Sequence, residues 1–405
     1  MSKALDTREA KKLKKKRATG IILIMNKANY KFFFFSLVIF LLSSSIHSNP
    51  LTILDNLEID EGFEIEIFAE NINTPRQIAE SAAGNIFVGS RNGGIITSID
   101  ENGNQRIIAN NLSNATGVTY HRGDLYFSEV DSIWMIKDID KALANSQDIP
   151  QKILVTNNLP SDTWHGWKWI GFGPDEKLYV PVGAPCNICN PSLEKEYGFD
   201  KRYASIMRLN NGSWEFVARG VRNTVGFDWH PETGDLFFGD NGRDWMGDDI
   251  PACELNVVKE ENSFFGYPYK HAKDVLDPEY SKKIPKDADI FVDPILELGA
   301  HVAPTGLSFY DGEMFPSKYK NTLFMTLHGS WNRSRKVGYK VIAVHFDKNG
   351  ELLYHKDFIT GWLQKENGRE KVLGRPASVF QKSDGSILIS DDGANVIYRV
   401  KYNNS

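Results

Sequence analysis

One motif recurs along this chain, and few folds can accommodate it. Six times after residue 50, a turn rich in Gly, Asn or Asp leads into an alternating apolar or aromatic strand and then into a second strand. The instances begin with Gly84–Gly89 leading into Gly94–Ile96, and Gly123–Ser128 leading into Ile133–Ile136. Glu176–Pro181 is followed by Ser205–Leu209, and Gly234–Gly239 by Glu254–Val258. Lys320–Met325 precedes Tyr339–Val344, and Asp384–Ile389 precedes Val396–Val400. Gly, Asn and Asp tolerate the backbone of tight turns, and β-branched and aromatic side chains suit a pleated, half-buried surface. Repeats spaced roughly 40 to 90 residues apart, with no long helical period, predict an all-β, six-bladed β-propeller and not a sandwich. The longest gap, between the fourth and fifth repeats, is expected to hold a long loop covering the top. Functional residues should then gather on loops and strand ends around the central channel.

The N-terminus has a different character. A basic run, Lys11–Arg17, is followed by apolar Phe32–Leu42 and small polar Ser43–Ser48. This is the order of a secretory leader, with an apolar core too short to span a bilayer. Met25, with Lys27 and Lys31 after it, would begin a leader of ordinary length by itself. The expectation is a start at Met25, a leader within residues 1–48, cleavage near Ser48–Asn49 and a propeller over residues 49–405. The mature protein would be periplasmic or secreted, touching the membrane only through the leader, with an uncleaved membrane anchor as the alternative reading. The net charge of the full chain is −5, and the body has no basic face suited to nucleic acid. The only cysteines are Cys186, Cys189 and Cys253. Their spacing suits a local disulfide with Cys253 free, while a zinc site or a redox motif are its other uses.

Five polar segments interrupt the repeats. Asp240–Asp249 follows the strand of the fourth repeat, and its carboxylates and Gly-rich carbonyls suit a hard cation such as calcium, or simply cap turns. Ala218–Phe227 carries Arg219 and Arg222 in apolar surroundings, where a guanidinium needs a carboxylate, whether from the protein or from a ligand. His165 stands among Trp164, Trp167 and Trp169, as a general base beside aromatic walls or as a satisfied core histidine. Leu327–Arg333 and Gly374–Pro376 bring His328 and Arg375 from two further repeats. Four blades thus send His or Arg toward one end of the barrel.

The strings Trp167–Asp175, Val182–Asn187, Arg219–Phe227, Asp240–Asp244, Phe265–Pro268, Ala303–Leu307 and His328–Arg333 resemble the sorbosone dehydrogenase branch of the glucose/sorbosone dehydrogenase family. They match in order from about residue 55 to 402. The resemblance implies a six-bladed propeller that binds pyrroloquinoline quinone and Ca2+ over its channel, oxidises a sugar or other alcohol, and passes electrons to a quinone or cytochrome. It places the catalytic base at His165, cofactor contacts at Arg222, Asn223, His328 and Arg375, and the calcium-binding carbonyls at Gly242 and Arg243. This chain departs from the pattern at Trp164, where an Asp orients the base, at His328, where the family has Lys, and at Ala377, where it has a second Arg. Asp162 is the candidate to orient His165 instead. A calcium-dependent propeller lactonase and a non-catalytic binding propeller are the alternative readings.

Overall fold

In the computed structural model, which describes residues 50–144, 148–286 and 290–403, the repeats become antiparallel sheets set as the blades of a propeller. Blade 1 runs Pro75–Glu80, Ile86–Ser90, Ile96–Ile99, Gln105–Ala109, and blade 2 runs Val118–His121, Asp124–Ser128, Ile133–Ile136, Ile153–Thr156. Blade 3 begins at Gly171–Phe172 and continues through Leu178–Val182, Ser205–Asn210 and Ser213–Arg219. Blade 4 contains Thr224–Trp229, Leu236–Asp240, Ala252–Val258 and Leu296–Ala300. Blade 5 contains Pro304–Tyr310, Thr322–Leu327, Lys340–Phe346 and Leu352–Thr360. Blade 6 contains Pro376–Gln381, Ile387–Asp391, Val396–Tyr402 and, from the other end of the chain, Phe63–Glu70.

That last pairing closes the ring. Phe63–Glu70 lies antiparallel to Val396–Tyr402, with Phe63 opposite Tyr402 and Glu66 opposite Arg399. The strand covers an edge that would otherwise present unpaired backbone groups.

Apolar packing holds blade to blade. Among the described residues, six of the seven clusters of buried side chains each lie between two neighbouring blades. Phe87 of blade 1 packs with Phe127 of blade 2, for example, and Phe237 of blade 4 with Leu323 of blade 5. Each large side chain fully removed from water contributes about 1.5–3 kcal/mol.

The repeated strands found in the sequence are second strands, one step out from the axis. The axial strands are the first ones. Thr224–Trp229 lies against Pro304–Tyr310, that strand against Pro376–Gln381, and that one against Pro75–Glu80. They escape the alternating pattern because they approach one another backbone to backbone. A Cβ on Gly226 would collide with the Thr305 carbonyl.

The long gap after the fourth repeat also holds more than the long loop expected. Ser263–Phe264 adds in parallel to Ser213–Arg219, Lys270–His271 and Val275–Leu276 form a small hairpin, and Leu296–Ala300 is the outer strand of blade 4. The leader, the start at Met25 and cleavage after Ser48 lie outside the described residues. Among the described residues, no helix is long and apolar enough to cross a membrane.

Candidate active site

A cavity of about 450 Å3 opens where the ends of several blades meet, and His165, Arg222, Asn223, Gly242, His328 and Arg375 all line it. Arg243 does not. Its buried guanidinium turns away, to Asp277 and Glu279 of the segment between the third and fourth strands of blade 4. Positions far apart in sequence are brought together because each follows or precedes a strand of its own blade.

His165 is half-buried and held in the left-handed backbone region at φ 51°. Its Nδ1 lies 2.8 Å from the carbonyl oxygen of Ala184. A carbonyl can only accept, so Nδ1 carries the hydrogen and Nε2 is left as a bare acceptor. Burial, reinforced by the charge of Arg222, pushes His165 well below its ordinary 6.5, so the ring is neutral. The orienting group is therefore a backbone carbonyl. Asp162 instead accepts from the Trp164 backbone N–H at 2.8 Å. Gly183 makes this possible, since a Cβ there would stand 2.6 Å from the Cβ of His165.

Arg222 is only 3% exposed and is gripped from several sides. Its Nε and Nη2 donate to the backbone and side-chain oxygens of Asn187 at 2.9 and 2.8 Å, and its Nη1 donates to the Asn241 carbonyl at 3.0 Å. Asp244 lies 3.3 Å from Nη2. Asn187 sits inside the disulfide formed by Cys186 and Cys189, as the spacing suggested, while Cys253 is free and buried. Beneath, Asp240 accepts the backbone N–H groups of Arg222 and Asn223 at 2.8 and 2.6 Å, fixing both residues. Burial raises Asp240 to about 6, and burial together with the charge of Asp240 raises its cross-strand neighbour Glu254 to about 8.

The acidic loop between the second and third strands of blade 4 is thus largely occupied. Asp240 holds backbone, Asp244 meets Arg222, Asp248 accepts from Ser334, and Asp249 pairs with Arg333 at 2.9 Å. Among the described residues, no group of three or more His, Cys, Asp or Glu side chains is placed to hold one metal ion.

On the opposite wall, Asp392 is shared. It meets Arg76 at 2.7 Å, His328 Nε2 at 2.7 Å and Arg91 at 3.8 Å. Against the desolvation that would raise it, Arg76 holds Asp392 far below the usual carboxylate range. Burial, only partly opposed by Asp392, takes His328 down to about 4, so the ring is neutral and donates from Nε2. Arg375 donates to the His328 and Gly329 carbonyls at 3.2 and 2.6 Å. Arg91 lies over the Trp167 ring, 4.8 Å from its centroid, with Arg76 at 5.8 Å.

The sequence reading missed Arg76, Arg91, Asp392 and His301. A signal for two of them was present. The residue directly after the second strand is Arg91 in blade 1, Asn241 in blade 4, His328 in blade 5 and Asp392 in blade 6. Superposing the repeats at that position would have placed Arg91 and Asp392 beside His328. At the mouth, Trp245 and Trp331 are 69% and 62% exposed and meet edge to face at 5.5 Å.

Known proteins extend this picture. Residues 57–403 match the family described as TrAA12-like. An uncharacterized protein of Borreliella burgdorferi is 38% identical over 378 residues, covering 90% of this chain and 95% of that one. The holo form of the pyranose dehydrogenase PQQ domain from Coprinopsis cinerea superposes with a TM-score of 0.68 at 21% identity, over 85% of this chain and 97% of that one. A calcium structure of the Trichoderma reesei Carbohydrate-Active Enzymes Family AA12 protein gives 0.69 at 18% identity, over 86% and 97%. The PQQ-bound form of aldose sugar dehydrogenase from Streptomyces coelicolor gives 0.59 at 16%, over 85% and 100%. At these identities the solved structures speak for the propeller fold alone.

Proposed function

The chain belongs to the TrAA12-like family, and from that membership we propose that it is a pyrroloquinoline-quinone- and calcium-dependent dehydrogenase acting on an aldose, a sorbosone-type sugar or a related alcohol. The observation that carries the reading is His165, a neutral ring with its tautomer fixed and its bare Nε2 on a residue lining the cavity. The names of the structural neighbours, which include PQQ-bound and calcium-containing proteins, support the choice of cofactors.

The residues present fit such a cofactor. Arg76 Nε is buried with no hydrogen-bond partner, and the guanidinium groups of Arg76, Arg222 and Arg375 all line the cavity. A planar anion with several carboxylates is the ligand such donors suit. Arg222, Asn223, His328 and Arg375 would hold it, and of the two backbone carbonyls expected to serve calcium, which takes oxygen ligands, that of Gly242 belongs to a residue lining the cavity. Pyrroloquinoline quinone, when bound with calcium, supplies the carbonyl carbon that accepts hydride and releases the electrons to a quinone or cytochrome.

The chain's own part follows from the geometry. His165 Nε2 takes the hydroxyl proton of the alcohol as its C–H bond is broken, and the Ala184 carbonyl stabilises the imidazolium through Nδ1–H. Arg222, fixed by Asn187 and Asn241, presents positive charge where negative charge develops. Trp164, Trp167 and Trp331 wall the cavity with apolar surface suited to a sugar ring. A lactonase of the calcium-dependent propeller type requires a side-chain cluster around one metal, and the described residues contain none.

We also propose export, supported by the Cys186–Cys189 disulfide, which an oxidising compartment permits. N-terminal sequencing of fractionated protein should find a start near Asn49; an intact cytoplasmic Met1 would refute it. For the activity, purified protein given pyrroloquinoline quinone, Ca2+ and an artificial electron acceptor should oxidise aldoses. No turnover across a panel of aldoses and polyols would leave a binding propeller as the better reading.

A further inference from the structure

We infer that Arg91 and Arg76, on blade 1, form with Arg375 an anion clamp that grips a carboxylate of the bound cofactor, on the wall where this chain has His328 and Ala377. The inference rests on the proposed function for the identity of the ligand, and on the charge and geometry of this wall for everything else.

Three guanidinium groups stand on one side of the cavity and line it. Two carboxylates lie behind them, and only Asp392 meets a guanidinium, with Arg76 at 2.7 Å and Arg91 at 3.8 Å. Asp391 is taken up instead by the backbone N–H groups of Arg375, Gly393 and Ala394 and by the Tyr398 hydroxyl. His328 is neutral and contributes no charge. The wall therefore carries more positive charge than it neutralises, in a setting of low exposure where unpaired charge is costly.

Individual donors show the same surplus. Arg76 Nε is buried and has no partner among the described residues. Arg91 is held at 3.8 Å from Asp392, beyond hydrogen-bond distance, and lies over the Trp167 ring with its side chain one-third exposed. Burial and then the charge of Arg76 both push Arg91 down, and Arg375 is pushed down by burial and, less strongly, by Arg76. An anion placed among them would relieve that repulsion.

Trp167 gives this clamp a direct reporter, because a ligand that displaces or orders Arg91 alters the environment of its indole. Arg91→Gln is the variant to make first, since its partly exposed side chain can change without opening the core. Tryptophan fluorescence of the full-length mature protein would be titrated with pyrroloquinoline quinone in the presence of Ca2+, and the Kd compared with wild type. Loss of a charge-assisted, forked pair should weaken binding about 10- to 100-fold. Arg91→Lys, which keeps the charge and loses the fork, should fall between the two. Raising the salt concentration should weaken wild-type binding more than Arg91→Gln binding. Wild type that binds, with both variants within twofold of it, overturns the clamp and leaves the cofactor assignment standing. Wild type that does not bind at all removes the cofactor assignment and the clamp with it.

Discussion

His165→Ala protein is expected to fold and to bind cofactor, yet to turn over about two to four orders of magnitude more slowly than wild type, the usual contribution of a positioned general base. The side chain makes a single hydrogen bond, from Nδ1 to the Ala184 carbonyl, and belongs to none of the interblade clusters, so little packing is lost with it. Its chemistry cannot be replaced locally, because the neighbouring Trp164 and Gly166 offer no base and Asp162 is engaged with the Trp164 N–H. The pH profile should change with it. The folded ring titrates below the ordinary 6.5, because burial and Arg222 disfavour the imidazolium. The neutral, proton-accepting form therefore persists into mild acid, and kcat/KM should fall only as the pH drops through that depressed value. In His165→Ala that acid limb should vanish. A variant with wild-type turnover and an unchanged acid limb would transfer the base elsewhere. One that simply fails to fold would mean that His165 is a packing residue.

Arg222→Ala should act differently, through stability as well as binding. At 3% exposure the guanidinium satisfies Asn187, the Asn241 carbonyl and Asp244 together. Removing it leaves Asp244 and two carbonyl oxygens facing a void, and breaking a buried pair from one side typically costs about 3–5 kcal/mol. Denaturant unfolding should show a lower midpoint, and the cofactor Kd should rise in the protein that remains folded. Arg222→Lys should recover part of the stability through its charge and little of the binding, because an ammonium cannot fork. An unchanged unfolding midpoint in Arg222→Ala would show that the grip of Asn187 and Asn241 contributes nothing.

The blades were legible because their second strands are short β-branched and aromatic runs, each entered from a turn signal and buried along its length. Ile86–Ser90 and Leu236–Asp240 are such strands. The axial strands were not legible, since their sequence answers to backbone approach, as at Gly226 against Thr305, more than to periodicity. The cavity residues His165, Arg222, Asn223, Gly242, His328 and Arg375 were reachable because each stands beside a recognisable strand or string. Their partners were harder. The Ala184 carbonyl that orients His165 carries no side-chain signature, and Asp392 reaches Arg76 from the far end of the chain across the ring closure. The acidic loop left two readings open, a cation site and turn caps, for a related reason. Its carboxylates look like metal ligands in sequence, but the fold turns Asp240 onto backbone N–H groups and Asp248 and Asp249 onto the facing loop of blade 5.

The central claim, that this propeller is built to hold pyrroloquinoline quinone with calcium, is tested most directly by calorimetry of the mature protein. A ligand that binds only the folded state adds stability in proportion to the logarithm of its saturation, about 2.7 kcal/mol at one hundred times its Kd. The account predicts a clear rise in Tm with pyrroloquinoline quinone and Ca2+ together, larger than with either alone. An unchanged Tm with both present at high concentration would contradict it.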